Sequence, residues 1–229
     1  MKKGKLEVVF VIDRSGSMGM GNKVEETMKA YNDFIEDQKK LDGECYVTFY
    51  RFDDEFEKVF ELKDIQKLSP VEYDLIQPRG MTSLYDAIGK AINDVGNRLR
   101  DTDESERPEK VLLSVITDGG ENNSSEFKKS DVKEMIERQE NKYNWTITFL
   151  SEDLSAVNDS RTFMSNTSNT MGVGTMSKGL NKMSGYTTML RSSGDLTSYD
   201  GTLEDVEDED DKMTDEDLQD LQELKDALK

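Results

Sequence analysis

The sequence predicts an α/β fold, a doubly wound and mostly parallel sheet with one antiparallel edge strand and helices on both faces. Three observations carry this expectation. Leu6 to Ile12 and Val111 to Ile116 are short apolar runs rich in β-branched residues, the pattern of strands buried on both faces. Segments with apolar residues three and four apart alternate with such runs. The stretches 45–52 and 56–62 flank the acidic pair Asp53-Asp54, which suits an antiparallel hairpin with a solvated turn.

In chain order, residues 5–12 are the first strand. Residues 22–40 form a helix, because Val24, Met28, Tyr31 and Ile35 share one face. The hairpin comes next. Residues 82–99 form the second helix, with Leu84, Ile88, Ala91, Ile92, Val95 and Leu99 as a broad apolar face. Arg100 to Glu109 is charged, contains Pro108 and reads as a surface loop. Val111 to Ile116 is a second central strand, and Ser124-Ser125-Glu126 opens a helix to about Lys142. Trp145 to Leu150 is a further strand. Residues 155–164 and 175–191 are helical, with a short strand between them and Met176, Leu180, Met183 and either Met189 or Leu190 turned inward.

Composition narrows the chemistry. The chain of 229 residues holds no histidine, which removes Ser-His-Asp and Cys-His nucleophile pairs, histidine-bearing zinc sites and any histidine pH switch. Its single cysteine, Cys45, lies in a predicted strand and reads as packing; no intramolecular disulfide can form. The basic start Met1-Lys2-Lys3 before an apolar run is not expected to be a leader. The run is too short, contains Glu7 and has no small-residue cleavage site. No stretch approaches the roughly 20 apolar residues of a membrane helix, so a cytoplasmic protein is expected. The net charge of −19 argues against direct nucleic-acid binding.

Three segments carry the candidate site: Asp13-Arg14-Ser15-Gly16-Ser17, Gly80-Met81-Thr82 and Thr117-Asp118-Gly119. Asp13 and Asp118 directly follow predicted strands, and Thr82 precedes a helix. In open α/β sheets the ends of such strands are where ligands gather. The donors are two carboxylates and three hydroxyls, with no nitrogen or sulfur, a set for a hard divalent cation. Two carboxylates leave such an ion short of negative oxygen, so it would draw an acidic oxygen from outside, with Asp118 acting through a bound water. Glu121-Asn122-Asn123 could shape the rim of this site or simply be a solvated loop.

Together these segments resemble the von Willebrand factor type A (VWA) domain family and its metal-ion-dependent adhesion site. Asp13, Ser15 and Ser17 match the first loop of that site, Thr82 the second and Asp118 the third, so no metal-site position is missing. Residues 9–18, 80–88 and 116–119 carry the similarity, and the layout extends from 5 to about 192. The resemblance implies a Rossmann-like fold and a non-enzymatic binding module. It also implies Mg²⁺ on those five residues, with Mn²⁺ or Ca²⁺ as alternatives, contacting an Asp or Glu of a protein partner. The small polar residues after Phe149 resemble stand-alone bacterial and bacteriophage members, for which the setting would be the host cytoplasm.

Residues 195–229 match nothing in the family. They hold 15 Asp or Glu against three Lys, a net of −12. The expected organisation is a domain over 1–194, an acidic disordered linker over 195–212 and an acidic amphipathic helix or tail over 213–229, with Leu218, Leu221, Leu224 and Leu228 in one stripe. Such a tail would mask the metal site or mediate self-association. Two rival functions suit the same residues: an acidic decoy, phage-encoded or not, that acts through the tail on a nucleic-acid-binding protein, and a metal-dependent hydrolase.

Overall fold

The computed structural model describes residues 1–193 together with 196, 201–203 and 206. Six strands and five α-helices alternate along it: β1 (Lys2–Asp13), α1 (Lys23–Lys39), β2 (Cys45–Phe52), β3 (Phe56–Asp64), α2 (Leu84–Asp101), β4 (Pro108–Thr117), α3 (Lys129–Tyr143), β5 (Trp145–Ser151), α4 (Leu154–Ser160), β6 (Thr170–Gly172) and α5 (Met176–Ser192). The sheet order is β3-β2-β1-β4-β5-β6. Only β3 runs antiparallel to its neighbour; the other pairings are parallel. This is the doubly wound, Rossmann-like architecture that the sequence predicts.

The period-two geometry of a strand explains how one apolar run serves two cores. Leu6, Val8, Phe10 and Ile12 of β1 face α1 and α5, while Val9 and Val11 face α2 and α3. In β4, Leu112 and Ile116 join the first core and Val111, Leu113 and Val115 the second. Phe10 is the hub of the α1 side, with ring centroids 5.0 Å from Tyr31 and 5.2 Å from Phe34, both edge-on. Such pairs add about 0.5–1.5 kcal/mol each beyond area burial. Glu7 is the polar exception in β1. It is fully buried and accepts from Thr48 Oγ1 at 2.7 Å and from the Arg98 guanidinium of α2.

Several boundaries differ from expectation for identifiable reasons. The first strand begins at Lys2, because its polar start pairs with Pro108 at the head of β4. Residues 100–109 are not all loop: α2 runs to Asp101 and β4 starts at Pro108, a strand-opening place where proline's missing N–H is tolerated. Helix α3 starts at Lys129 rather than Ser124. The N–H groups of Ser125, Glu126 and Phe127 instead donate to the Asp86 carboxylate at 3.0, 2.9 and 2.8 Å. Helix α4 ends at Ser160 and is shorter than the expected 155–164. Of the alternatives in α5, Leu190 is buried and Met189 is exposed.

The α1 and α5 core also takes in residues from the stretch expected to be a linker. Leu196, Leu203 and Val206 are buried in it, with at most 7% exposure. Val206 lies so close to Gly185 of α5 that a Cβ there would sit 2.7 Å from its Cγ1. These three apolar side chains have places in that core, while most of the expected acidic linker over 195–212 lies outside the described residues. The expected helix over 213–229 lies outside the described residues. Among the described residues, no helix is long and apolar enough to cross a membrane.

Candidate metal centre

The register of β1 with β2 and β4 decides where the candidate residues meet. Asp13 pairs with Phe52 on one side and Ile12 with Ile116 on the other, so Asp13 and Thr117-Asp118 end their strands side by side. The Asp13 carboxylate is fully buried. Its Oδ1 accepts from the backbone N–H of Ser15 at 2.6 Å, and its Oδ2 from Thr117 Oγ1 at 2.6 Å. Burial pushes the Asp13 carboxyl up to about 7, and the nearby Asp118 charge adds to that, while the bonds from Thr117 and Ser15 pull the other way.

From Asp13 a line of oxygens leads to Asp118. Ser17 Oγ donates to Asp118 Oδ1 at 2.7 Å, and Ser15 Oγ lies 3.1 Å from Ser17 Oγ. A hydroxyl has one proton, so with the Ser17 proton on Asp118 the Ser15 hydroxyl is the donor to Ser17. The Asp118 side chain has no solvent exposure, and its Oδ2 accepts from Lys23 Nζ at 2.7 Å. Lys23 opens α1 and has no sequence signature; an isolated lysine at a helix start gives no pattern to read.

Thr82 is placed by its backbone. Its N–H donates to Asn122 Oδ1 at 2.9 Å, and its carbonyl accepts from Asn122 N at 3.1 Å. Gly16 N donates to the Gly80 carbonyl at 3.2 Å, which ties the second loop to the first. Gly80 has φ +67°, and a Cβ there would collide with the Asp54 carboxylate, so the close approach requires glycine. Thus Asp13, Ser15, Ser17 and Asp118 are joined through side-chain hydrogen bonds and strand register, and Thr82, 3% exposed, joins them through its loop.

In the acidic hairpin turn Asp54 and Glu55 are exposed as expected, but Asp53 is a support for this site. Asp53 is fully buried, with its Oδ2 2.9 Å from Arg14 Nε and 2.7 Å from Arg79 Nε. Its carbonyl accepts from Ser83 N at 3.0 Å, and Arg79 N donates to the Arg14 carbonyl at 2.8 Å. The two arginines therefore clamp the turn between the first and second loops. Glu121 resolves to a similar role. Its Oε2 accepts from Tyr85 N at 3.0 Å in the first turn of α2, and its Oε1 from Ser124 N at 2.6 Å. That carboxylate caps α2, where Ser83 makes no side-chain cap bond.

The oxygen set fits a hard cation and no soft one: carboxylates of Asp13 and Asp118 and hydroxyls of Ser15, Ser17 and Thr82, from two strand-end loops and the loop before α2. Among the described residues no group of three or more acidic or cysteine side chains gathers as a metal cage. Two carboxylates with neutral hydroxyls would leave a divalent ion short of negative oxygen.

A family model for the von Willebrand factor type A domain matches residues 7–184. The chain belongs to the VWA domain family. Several solved structures share this VWA fold. Proximal thread matrix protein 1 from the mussel byssus, solved with a zinc-occupied MIDAS (metal-ion-dependent adhesion site) motif, is 18% identical with a TM-score of 0.54, over 84% of this chain and 46% of that one. The von Willebrand factor type A protein from Catenulispora acidiphila is 16% identical with a TM-score of 0.54, over 79% and 42%. The vWF domain of the type V pili tip protein Mfa5 from Porphyromonas gingivalis is 10% identical with a TM-score of 0.60, over 82% and 97%. At these identities the likeness establishes the fold alone. The chain spans less than half the length of the mussel and Catenulispora chains. No curated protein matches it. VWA domains are protein-interaction modules that typically carry a metal site.

Proposed function

We propose that this VWA domain is a metal-dependent protein-binding module. Asp13, Ser15, Ser17, Thr82 and Asp118 would hold Mg²⁺, with Mn²⁺ or Ca²⁺ as substitutes, and an Asp or Glu of a protein partner would supply the missing oxygen. The observation that carries this reading is the hydrogen-bonded line Ser15–Ser17–Asp118 beside the buried Asp13, which collects hard oxygens at the ends of β1 and β4. When bound, the ion supplies an electrophilic point for a carboxylate. The protein's own residues do the rest: Asp13 and Asp118 neutralise charge, the hydroxyls fill neutral positions and the Asp53 clamp holds the loops apart at the right spacing.

The rim supports a protein ligand. Met20 and Met81, 68% and 49% exposed, stand on the two loops joined by the Gly16–Gly80 bond. Methionine adapts its shape to a partner, and exposed apolar side chains beside a charged point mark a contact surface.

Calorimetric titration of the full chain with MgCl₂ and MnCl₂ tests the site. Saturable binding is expected in the native protein and none in Asp13→Ala, which should keep its circular dichroism spectrum. Binding retained in that variant would overturn the assignment. The partner step is tested by affinity purification with and without EDTA, with Asp13→Ala as the control. A partner retained equally in all three samples would show that contact does not pass through the ion.

A further inference from the structure

Helix α2 carries two glycines in its interior, Gly89 and Gly96, close to two turns apart and so on nearly the same face. A glycine inside a helix is disfavoured by about 1 kcal/mol against alanine. At Gly89 the reason for it is visible. The Phe127 ring lies over the backbone, and a Cβ there would sit 2.7 Å from its Cγ. At Gly96 no described atom lies within 4 Å of the Cβ position. One notch of α2 holds a ring, and the other is open.

The open notch faces a groove of about 510 Å³ between the C-terminal parts of α2 and α3. The groove lies at the head of β4, the opposite end of that strand from the candidate metal centre. Its volume is that of a small-molecule site. Ile92, Leu99, Val111 and Trp145 give it an apolar floor.

The polar groups around it want an anion. Arg107, Arg138 and Lys142 line the groove, and among the described residues none of the three makes an ion pair. In a chain of net charge −19 this is a local reversal of sign. Arg107 is held in place by carbonyls: its Nε donates to Thr102 O at 2.9 Å and one terminal nitrogen to Arg100 O at 3.1 Å. Its remaining N–H groups are left for an acceptor. Asn144, the left-handed cap of α3, lines the same groove, and its buried Nδ2 has no acceptor among the described residues. A buried donor left unpaired costs about 1–3 kcal/mol. The positive field registers at Tyr143, whose phenol is held below its usual pKa by the hydrogen bond from Arg138 and by the Lys142 charge. Of the lining carboxylates, Glu109 is engaged, accepting from Gly4 N at 2.6 Å.

We propose that this groove binds a small aromatic carboxylic acid. Its flat ring would seat over Gly96 against the Trp145 floor, as the Phe127 ring seats over Gly89. Its carboxylate would take the Arg107 guanidinium, with Arg138 and Lys142 adding charge at the rim and Asn144 Nδ2 donating. An inorganic anion leaves the notch and the apolar floor unfilled. A neutral ring leaves three cations and the Asn144 donor unmatched. Only a ligand with both parts answers all of these groups, and a guanidinium fork suits a carboxylate. Binding there is remote from the metal centre and needs no metal.

Naphthoate is the probe, and Trp145, the only tryptophan of the chain, gives a single indole N–H signal in a heteronuclear NMR spectrum. In the full chain naphthoate should shift that signal saturably, with EDTA present. Naphthamide, which keeps the rings and lacks the charge, and acetate, which keeps the charge and lacks the rings, should each bind at least tenfold more weakly. Gly96→Leu fills the notch without a described neighbour to displace. It should lower naphthoate affinity at least tenfold, melt no lower than the native chain and leave Mg²⁺ titration unchanged. Arg138→Met/Lys142→Met, at two exposed positions, should lower affinity about fivefold, and salt should weaken binding to the native chain. Absence of a saturable shift overturns the proposal, as does naphthamide or acetate binding as tight as naphthoate. Native affinity in Gly96→Leu overturns it too. Should that variant fail to fold, the double methionine variant decides, and undiminished binding there places the probe elsewhere.

Discussion

Lys23 puts a permanent positive charge where the family resemblance calls for an ion. Its ammonium holds Asp118 Oδ2 at 2.7 Å and is itself partly exposed, so it can swing away while Asp118 cannot. It therefore stabilises the metal-free protein and competes with the metal. Lys23→Met should raise Mg²⁺ affinity about tenfold, the equivalent of ~1.4 kcal/mol, and lower the melting temperature in EDTA, because Asp118 is left buried and unpaired. Calorimetry and thermal melting of the same samples check both signs; a variant with weaker Mg²⁺ binding would make Lys23 a support of the site instead. Asp13 sets the pH dependence. Its folded pKa of about 7 lies above its ordinary value of 3.8, so the folded metal-free state binds the extra proton. Its contribution is complete below about pH 4 and is lost as pH rises through 7, at up to ~1.4 kcal/mol per unit. Urea melts in EDTA should show the native chain losing stability from pH 5 to pH 8 relative to Asp13→Asn, which cannot titrate there. Parallel curves for the two proteins would contradict this.

At the scale of elements, the central strands and the long helices were legible because burial on both faces and a 3.6-residue period leave marks in a short window. The five candidate residues could be named because each lies in a compact motif, and hydrogen bonds and strand register bring Asp13, Ser15, Ser17 and Asp118 together. The scaffold between them was hidden. Asp53 reads as a hairpin acid until Arg14 and Arg79, distant in sequence, are seen on its carboxylate. Asp86 reads as a polar position of α2, yet it receives three consecutive N–H groups from the segment that was expected to be helical. Long-range side-chain to backbone bonds have no local signature. Asp86→Ala should therefore behave as a loss of tertiary structure: about 2–3 kcal/mol of stability, from charged hydrogen bonds worth about 1.5–3 kcal/mol, and a melting temperature lower by roughly 5–10 °C. Hydrogen exchange should localise the change to 120–128 and the first turn of α2. Uniform loss of protection across the sheet would mean that the latch is not a local device.

For the whole molecule, the question is where the domain ends. The family model stops at residue 184, and the charge changes character after residue 194. The core respects neither boundary, because Leu196, Leu203 and Val206 belong to the cluster that packs between the sheet, α1 and α5. The acids crowded between 195 and 209 mask, in the sequence, the three apolar residues spaced among them. Burying each of the three gains about 1.5–3 kcal/mol, offset by ordering a chain whose backbone costs about 1–2 kcal/mol per fixed residue. The surface they cover on α5 would otherwise be exposed, including the region of Gly185 that Val206 fills. A chain ending at Gly194 should then be less stable than one ending at Glu209 by about 2–4 kcal/mol, and melt roughly 5–15 °C lower. It should also bind a hydrophobic dye that the longer chain ignores. The chain ending at Glu209 should match the full chain within about 1 kcal/mol, because it keeps all three buried apolar residues. Equal melting of the 194 and 209 chains would remove these three residues from the folding unit and return the domain boundary to Gly194.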